Sequence, residues 1–492
     1  MDLQTPPGNV KPPAVLAKAS SSYKWSALAE VLSKASSPLI LVILARLLTP
    51  EQFGMVAVAT LAITFIQMLW EGGLGRALIH LNQDHLEGAN VVFWSNLILA
   101  TGAFTALQLL APQIAIFLGT PTAAPVLRVL GFQIILGALG SVQQALLTRD
   151  LNFRRLFRVR LASTLVPGMV SIPLALSSWG VWALVAGTLA GQTLSVIVLW
   201  LNSSWRPSLS FDKRLAQTLL NFGIWVVFES FGGWMLNFGD NLVVARNLGT
   251  HELGLYRTGT ALVTVVFATI LSPILPVAYP TFCRLQGDSA QLKETFTRLN
   301  RILVVAAIAI SAGLFLVGPV IHRAFFKQEW HGLGWVISML ALMNGVAWTV
   351  GLNAELYRAM GRPEINTKLM YLQLFYYLPA YWFGSRYGLE TFCIVRCGVA
   401  VLSVPLHVYF AQTILNLKWH YLWSLSRRPL IAAGAMSVVV GLLQRYGSSP
   451  FPAMDLVLQI SLGALIFTGV LYSVDRNFFS DARSVFKRKG GL

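Results

Sequence analysis

Apolar stretches of about 20 residues, the length that carries a helix across a bilayer, recur along the whole chain and limit what it can become. Fourteen are recognised: 25–48, 53–79, 90–111, 123–147, 157–177, 180–201, 216–246, 253–280, 301–321, 333–357, 367–385, 390–414, 429–446 and 455–474. The seventh and eighth are long enough to be bent. The connections are short, so no sizeable extramembrane domain fits between spans. Charged residues make up 12% of the 492 and hydrophobic ones 55%, where a soluble domain carries about 25% charged. The sequence therefore predicts an all-α polytopic membrane protein. It excludes a disordered chain, a disulfide scaffold and a typical soluble enzyme.

The basic residues give the layout a direction. With residues 1–24 as a cytoplasmic tail, 26 Lys and Arg fall on the cytoplasmic side and six on the other; five (Lys34, Arg76, Arg128, Arg257, Arg396) lie within spans. This asymmetry predicts an even number of spans with both termini inside the cell. It also accounts for the net charge of +17 without a nucleic-acid partner. The N-terminal tail has no apolar run long enough for a signal-peptide core. The basic segment Arg483 to Lys489, in a tail spanning 475–492, is expected to lie on anionic lipid. Tryptophans cluster near span ends (Trp25, Trp179, Trp182, Trp200, Trp205, Trp330, Trp335, Trp419, Trp423), which predicts an interfacial belt.

An internal repeat is visible. Residues 45–60 read ARLLTPEQFGMVAVAT and residues 245–260 read ARNLGTHELGLYRTGT. At an offset of 200, Ala45/Ala245, Arg46/Arg246, Leu48/Leu248, Gly54/Gly254 and Thr60/Thr260 are identical. Spans 1–2 thus correspond to spans 7–8. An even number of spans separates the copies, so both run the same way through the membrane. Two parallel six-helix bundles are a transporter pattern. The expected organisation is an N-lobe over 25–205, a C-lobe over 206–415 and two added spans within 416–474.

Motifs of built-in chemistry are not found. The chain has no G-x-x-x-x-G-K-[ST] phosphate loop, no H-E-x-x-H and no D-x-D pair. Its seven histidines are scattered. Cys283, Cys393 and Cys397 form no disulfide framework and are read as core residues. Neither a cofactor nor a metal is expected, and the chain is not read as an enzyme. Gly187 and Gly191 form a G-x-x-x-G suited to close helix packing.

Ionisable residues inside spans are costly and are functional hypotheses. Glu30 and Lys34 sit four apart on one face of span 1. Span 7 carries Glu229 and Asp240; Glu30 and Glu229 are one residue out of register under the 200-residue offset. Lys34, Arg257 and Arg396 are candidates for holding an anionic substrate group through charge and forked hydrogen bonds. Glu30, Glu229 and Asp240 are candidate coupling or cavity carboxylates. The competing reading makes all of these structural pairs. Arg76, Arg128 and Glu355 lie near span ends, where charges reach the interface.

Several segments resemble a known family. ARLLTPEQFGMVAVAT followed by GGLGRALI (72–79), GDNLVVARNLGTHELGLY (239–256), LPVAYPTFCRLQ (275–286) and LYRAMGRPEINTK (356–368) are similar to the polysaccharide transport family. These are the Wzx-type flippases of the multidrug/oligosaccharidyl-lipid/polysaccharide exporter superfamily. The resemblance covers roughly residues 20–415. It implies two six-helix lobes around a cavity lined by helices 1 and 7. It further implies alternating access that moves undecaprenyl-diphosphate-linked oligosaccharide to the outer leaflet of the bacterial inner membrane, for exopolysaccharide, capsule or lipopolysaccharide. Asp240 stands where the family commonly has an Asp. The partners implied are the lipid-linked oligosaccharide, membrane lipids and other polysaccharide-assembly proteins. Three alternatives stay open at this level: an ion-coupled antiporter of small molecules, a membrane glycan polymerase or ligase, and a scaffold for glycan machinery.

If Lys34 holds substrate, Lys34→Gln lowers export of surface polysaccharide at unchanged protein level, measured by immunoblot beside a polysaccharide assay. Unchanged export at normal expression removes that role.

Overall fold

The chain is described here by a computed structural model over residues 36–71, 85–150, 152–208, 213–418, 420–446 and 451–480. Regular structure among the described residues is helical throughout: α1 (Ser36–Leu47), α2 (Pro50–Glu71), α3 (His85–Phe117), α4 (Ala124–Leu130), α5 (Phe132–Arg149), α6 (Phe153–Leu176), α7 (Val181–Asn202), α8 (Lys213–Leu271), α9 (Leu275–Arg284), α10 (Ser289–Phe325), α11 (Leu333–Trp348), α12 (Asn353–Ala359), α13 (Glu364–Ser385), α14 (Leu389–Leu415), α15 (Tyr421–Tyr446) and α16 (Pro452–Val474). Eleven helices among the described residues are long and apolar enough to cross a membrane. Where its residues are described, each predicted span falls on helix, but the count differs from fourteen. Spans 7 and 8 join in one element, α8, only Ser36–Leu47 of span 1 is described, and the helix of span 11, α13, is not among the eleven apolar enough to cross.

α8 is two helices meeting at Gly249, whose φ of 86° and ψ of −172° are accessible only to glycine. The equivalent break in the first copy falls at Leu48 and Thr49, with Pro50 opening α2, where its fixed φ and missing N–H suit a first helical position. The same joint is thus made with different residues.

The described residues fall into two compact units. The first takes Ala59–Ala115 and Thr122–Phe231, with the described residues up to Ile40. In it, α7 lies against α6 with almost no side chain between. A Cβ on Gly187 would meet Ser171 Oγ at 1.9 Å, and one on Gly191 would meet Pro167 Cγ at 2.6 Å. The G-x-x-x-G is therefore a packing seam within the chain. Phe93 gathers Trp94, Trp200 and Trp205 edge-on, and Trp200 Nε1 donates to the Leu139 carbonyl at 2.9 Å.

The second unit takes Leu41–Val58, Ile116–Pro121 and Gly232 onward. It thus contains the α1–α2 turn and the end of α3 beside the break in α8. A Cβ on Gly54 would lie 1.9 Å from the Thr250 carbonyl oxygen, and one on Gly254 would lie 1.9 Å from the Pro50 carbonyl oxygen. The repeat's two arginines cross in the same reciprocal way. Arg46 donates from Nε and Nη2 to the carbonyls of Phe325 and Ala324 at 2.8 and 2.6 Å. Arg246 donates from Nη1 to the Ile116 carbonyl at 3.3 Å and lies over the Phe117 ring. Each arginine reaches the last carbonyls of a helix, where acceptors lack intrahelical donors and the dipole favours a cation. Trp330, expected in an interfacial belt, is instead wholly buried here. Its Nε1 donates to the Leu48 carbonyl, and its ring packs on Phe53 and Phe326.

The two added helices, α15 and α16, are fastened to α10 in this unit. Val304, Val305 and Ile308 pack with Ala432, Met436, Val440, Phe467 and Leu471. At one end Asp475, 4% exposed, takes both oxygens to Arg301 at 2.6 Å and one to Arg428 at 3.0 Å. Asp475→Asn keeps the size and removes the charge, leaving two guanidiniums without their anion. It is expected to cost about 1–3 kcal/mol. The check is a lowered thermal midpoint of the detergent-solubilised protein, with Asp475→Glu falling between variant and parent.

Candidate functional site

Three of the charges singled out from the sequence, Asp240, Arg257 and Arg396, lie in the second unit. Asp240 lies nine residues before Gly249, about 14 Å along the helix, and Arg257 lies eight residues after it, about 12 Å. By the spans read from the sequence, Asp240 lies six residues inside the end of span 7 and Arg257 four residues inside the start of span 8, so both fall within the apolar layer. A straight helix would hold Asp240 and Tyr256 about 24 Å apart. The break folds the halves back, and the Tyr256 hydroxyl donates to Asp240 Oδ2 at 2.6 Å.

Asp240 is 2% exposed and fully occupied. Its Oδ1 accepts from the Asn241 backbone N–H at 2.6 Å and from Asn241 Nδ2 at 2.7 Å. Its Oδ2 accepts from Tyr256 and forms an ion pair with Arg396 Nη1 of α14. Arg396 sits between aromatic faces, its guanidinium 5.3 Å from the Tyr256 centroid and 6.0 Å from that of Tyr381 of α13. Phe392, one turn earlier on α14, meets both of those rings. A carboxylate at this depth is expensive unless paired and hydrogen-bonded, and each requirement is met by a different helix segment.

Arg257 is different. It is partly buried and lies over the Phe238 ring at 5.8 Å. Among the described residues it makes no hydrogen bond and no ion pair, although Asp240 is within electrostatic range. Asp240 balances one of the two arginines, so the trio carries an excess positive charge.

The remaining candidates separate cleanly. Glu30, Lys34 and Arg76 lie outside the described residues, and Glu229 lies on α8 with its side chain outside them. Arg128 and Gln108 exchange bonds to each other's backbone carbonyls. Glu355 pairs with Arg358 at 3.3 Å, one helical turn away. Among the described residues no group of three His, Cys, Asp or Glu is placed to hold a metal. The three cysteines are free. The sequence did not identify Tyr256, Tyr381 or Asn241 as partners. A tyrosine in an apolar helix carries no local sign of what its hydroxyl meets.

The polysaccharide biosynthesis protein family matches residues 43–333, more than half of the chain. The chain belongs to this family. It is 25% identical over 460 residues to the succinoglycan biosynthesis transport protein ExoT of Rhizobium meliloti, covering 92% of each chain. It is 25% identical over 377 residues to the lipopolysaccharide biosynthesis protein WzxC of Escherichia coli, covering 75% of each. The teichuronic acid biosynthesis protein TuaB of Bacillus subtilis is 21% identical over 98% of this chain and all of its own. Among solved structures, the lipid II flippase MurJ in an inward closed conformation shares the fold. Its TM-score is 0.76 at 13% identity, over 92% of this chain and 99% of that one. An inward-facing multidrug resistance transporter of the MATE family follows at a TM-score of 0.63 and 14% identity, over 78% of this chain and 98% of its own. The family member described here is a multi-pass membrane protein.

Removing Arg396 alone strands the buried Asp240 charge, so Arg396→Leu is expected to cost about 3–5 kcal/mol. Asp240→Leu with Arg396→Leu removes both charges and recovers most of that loss. Thermal unfolding of the two variants measures the coupling; equal destabilisation in the single and double variants would refute the pairing.

Proposed function

We propose that the chain is a flippase for lipid-linked oligosaccharide. It takes an undecaprenyl-diphosphate-linked unit from the cytoplasmic to the outer leaflet of a bacterial inner membrane, by alternating access, for exopolysaccharide, capsule or lipopolysaccharide assembly. The observation that carries this reading is the near end-to-end match with a succinoglycan biosynthesis transport protein, with 92% of both chains aligned. The match with the lipopolysaccharide protein WzxC supports it.

The local chemistry supports a reading in which the cargo's head group is anionic. Arg396 is committed to Asp240, and Arg257 keeps its donors. A diphosphate entering near Arg257 meets an excess positive charge and a planar fork of N–H donors suited to phosphate oxygens. In surroundings of low dielectric that pairing is stronger than in water. The sugar travels with the head group while the lipid tail stays among acyl chains. Lys34, Glu30 and Glu229 remain proposed contributors from spans 1 and 7. The basic-residue asymmetry supports both termini lying in the cytoplasm. An acidic, cation-selective site, as a drug antiporter would need, is not what the Asp240, Arg396 and Arg257 trio offers. Movement of a carried molecule, not bond chemistry, is the proposed activity.

A lipid extract of a strain lacking the chain, beside its parent, tests the proposal. Completed diphosphate-linked units should accumulate while surface polymer disappears. Arg257→Gln should reproduce that pattern with export lowered about tenfold or more, since a charge-assisted hydrogen bond is worth about 1.5–3 kcal/mol, at unchanged protein level. No change in either pool on deletion would refute the reading.

A further inference from the structure

Four arginines gather where the two added helices meet α10, and none of them belongs to the group around Asp240. The spans read from the sequence put all four at the edge of the apolar layer. Span 9 begins at Arg301, span 13 begins just after Arg427 and Arg428, and span 14 ends just before Asp475 and Arg476. We infer that this cluster binds the phosphate of an anionic phospholipid, in the leaflet that the basic-residue asymmetry makes cytoplasmic. The inference does not depend on the flippase reading.

The cluster carries more positive charge than the protein answers. Arg301 is committed to Asp475, with Nη2 on both of its oxygens. Arg428 gives Asp475 only Nη1, at 3.0 Å, and its side chain is 40% exposed. Its other N–H donors meet no acceptor among the described residues. Arg427 and Arg476 are exposed, and Arg476 lies over the Tyr472 ring at 5.7 Å. Neither makes a hydrogen bond or an ion pair among the described residues. α15 contains no carboxylate, and α16 contains only Asp455, in its first turn at the opposite end. One carboxylate therefore stands against four guanidiniums. Other cations on α10 are paired: Lys293 donates to the Asn416 carbonyl at 2.7 Å, and Arg298 meets Glu294 at 2.5 Å.

The surroundings suit a lipid head group. Trp423 is exposed one turn before Arg427, and Tyr472 is exposed one turn before Arg476. Rings with one wet end settle at the membrane–water boundary. Further along the same helices Ile431, Val438, Val457 and Leu465 are exposed, a surface for acyl chains. One molecule can thus lay its chains on α15 or α16 and bring its phosphate to the arginines. A guanidinium offers a planar fork of N–H donors that matches two phosphate oxygens, and basic groups between helix ends on this side are suited to anionic head groups. Asp475 holds Arg428 beforehand, so less side-chain freedom is lost when the phosphate arrives. The bound lipid would tie the start of α15 to the chain leaving α16.

The test uses the full chain, purified in detergent, stripped of lipid and titrated with phosphatidylglycerol while its thermal midpoint is read. Phosphatidylcholine, which has no net charge, and inorganic phosphate, which has no acyl chains, are the comparison ligands. Phosphatidylglycerol should raise the midpoint, and neither comparison ligand should do so at equal phosphate concentration. Arg427→Gln with Arg476→Gln leaves the Asp475 pairs in place, so its lipid-free midpoint should match the parent's. Its half-saturating phosphatidylglycerol should rise about tenfold or more, the loss expected for one hydrogen bond to a charged group. Arg427→Lys with Arg476→Lys keeps the charge without the fork and should fall between. Changing Arg483, Lys487, Arg488 and Lys489 to Gln should leave the lipid effect in place. If the Gln pair unfolds early, mass spectrometry of the intact protein counts bound lipid on the folded molecules and gives the same comparison. A parent midpoint that phosphatidylglycerol does not move overturns the site. So does equal stabilisation by phosphatidylcholine, which makes the effect one of acyl chains alone, or by inorganic phosphate, which makes the ligand a free anion. A Gln pair that responds like the parent also overturns it, as does a response lost only on neutralising 483–489.

Discussion

In a hydrocarbon layer a polar group finds its partner inside the protein or pays heavily for having none. That constraint explains the helices, which satisfy their own backbone, and it explains where the helices stop. At the broken ends of α3 and α10 the free carbonyls receive guanidiniums from elsewhere in the chain. Within the apolar span the carboxylate of Asp240 is met by a cation, a hydroxyl and an amide. Asp475 is held by two arginines where α16 ends. The guanidinium of Arg257, which lies over the Phe238 ring, makes no such bond among the described residues. In the proposed flippase this is the cation offered to the anionic head group of the cargo.

Much of this was legible in the sequence, and the limits have physical causes. Helix positions followed from apolar length, because backbone satisfaction leaves a spanning chain little other choice. The duplication was legible because the turn demands particular residues: arginine to cap, glycine for close approach. The partner of Arg396 was not legible. Asp240 and Arg396 are 156 positions apart, and only the folding of α8 at Gly249 and the packing of α13 and α14 bring them together. Trp330 misled for a similar reason. A tryptophan near a span end usually lies at the interface, yet this one fills the space beneath Leu48 and Phe53. Periodicity and composition report the solvent a residue prefers; they do not report which neighbour excludes that solvent.

The two copies of the turn also show how duplication leaves room for a site. Both keep the residues that shape the joint, Arg46 and Arg246, Gly54 and Gly254. They diverge where the joint faces itself, at Glu51 and His251, and again one turn further on. Val56 and Ala57 in the first copy stand opposite Tyr256 and Arg257 in the second, and Ile40 opposite Asp240. The first copy therefore has apolar residues where the second has a carboxylate, its hydroxyl donor and a spare guanidinium. A carboxylate at Ile40 would need its own cation and hydroxyl at once, since any one of these alone in the hydrocarbon layer is destabilising. Such a set is hard to assemble by single steps and costly to keep twice. Geometry was retained in both halves, where each depends on the other, while the charged network is confined to one of them.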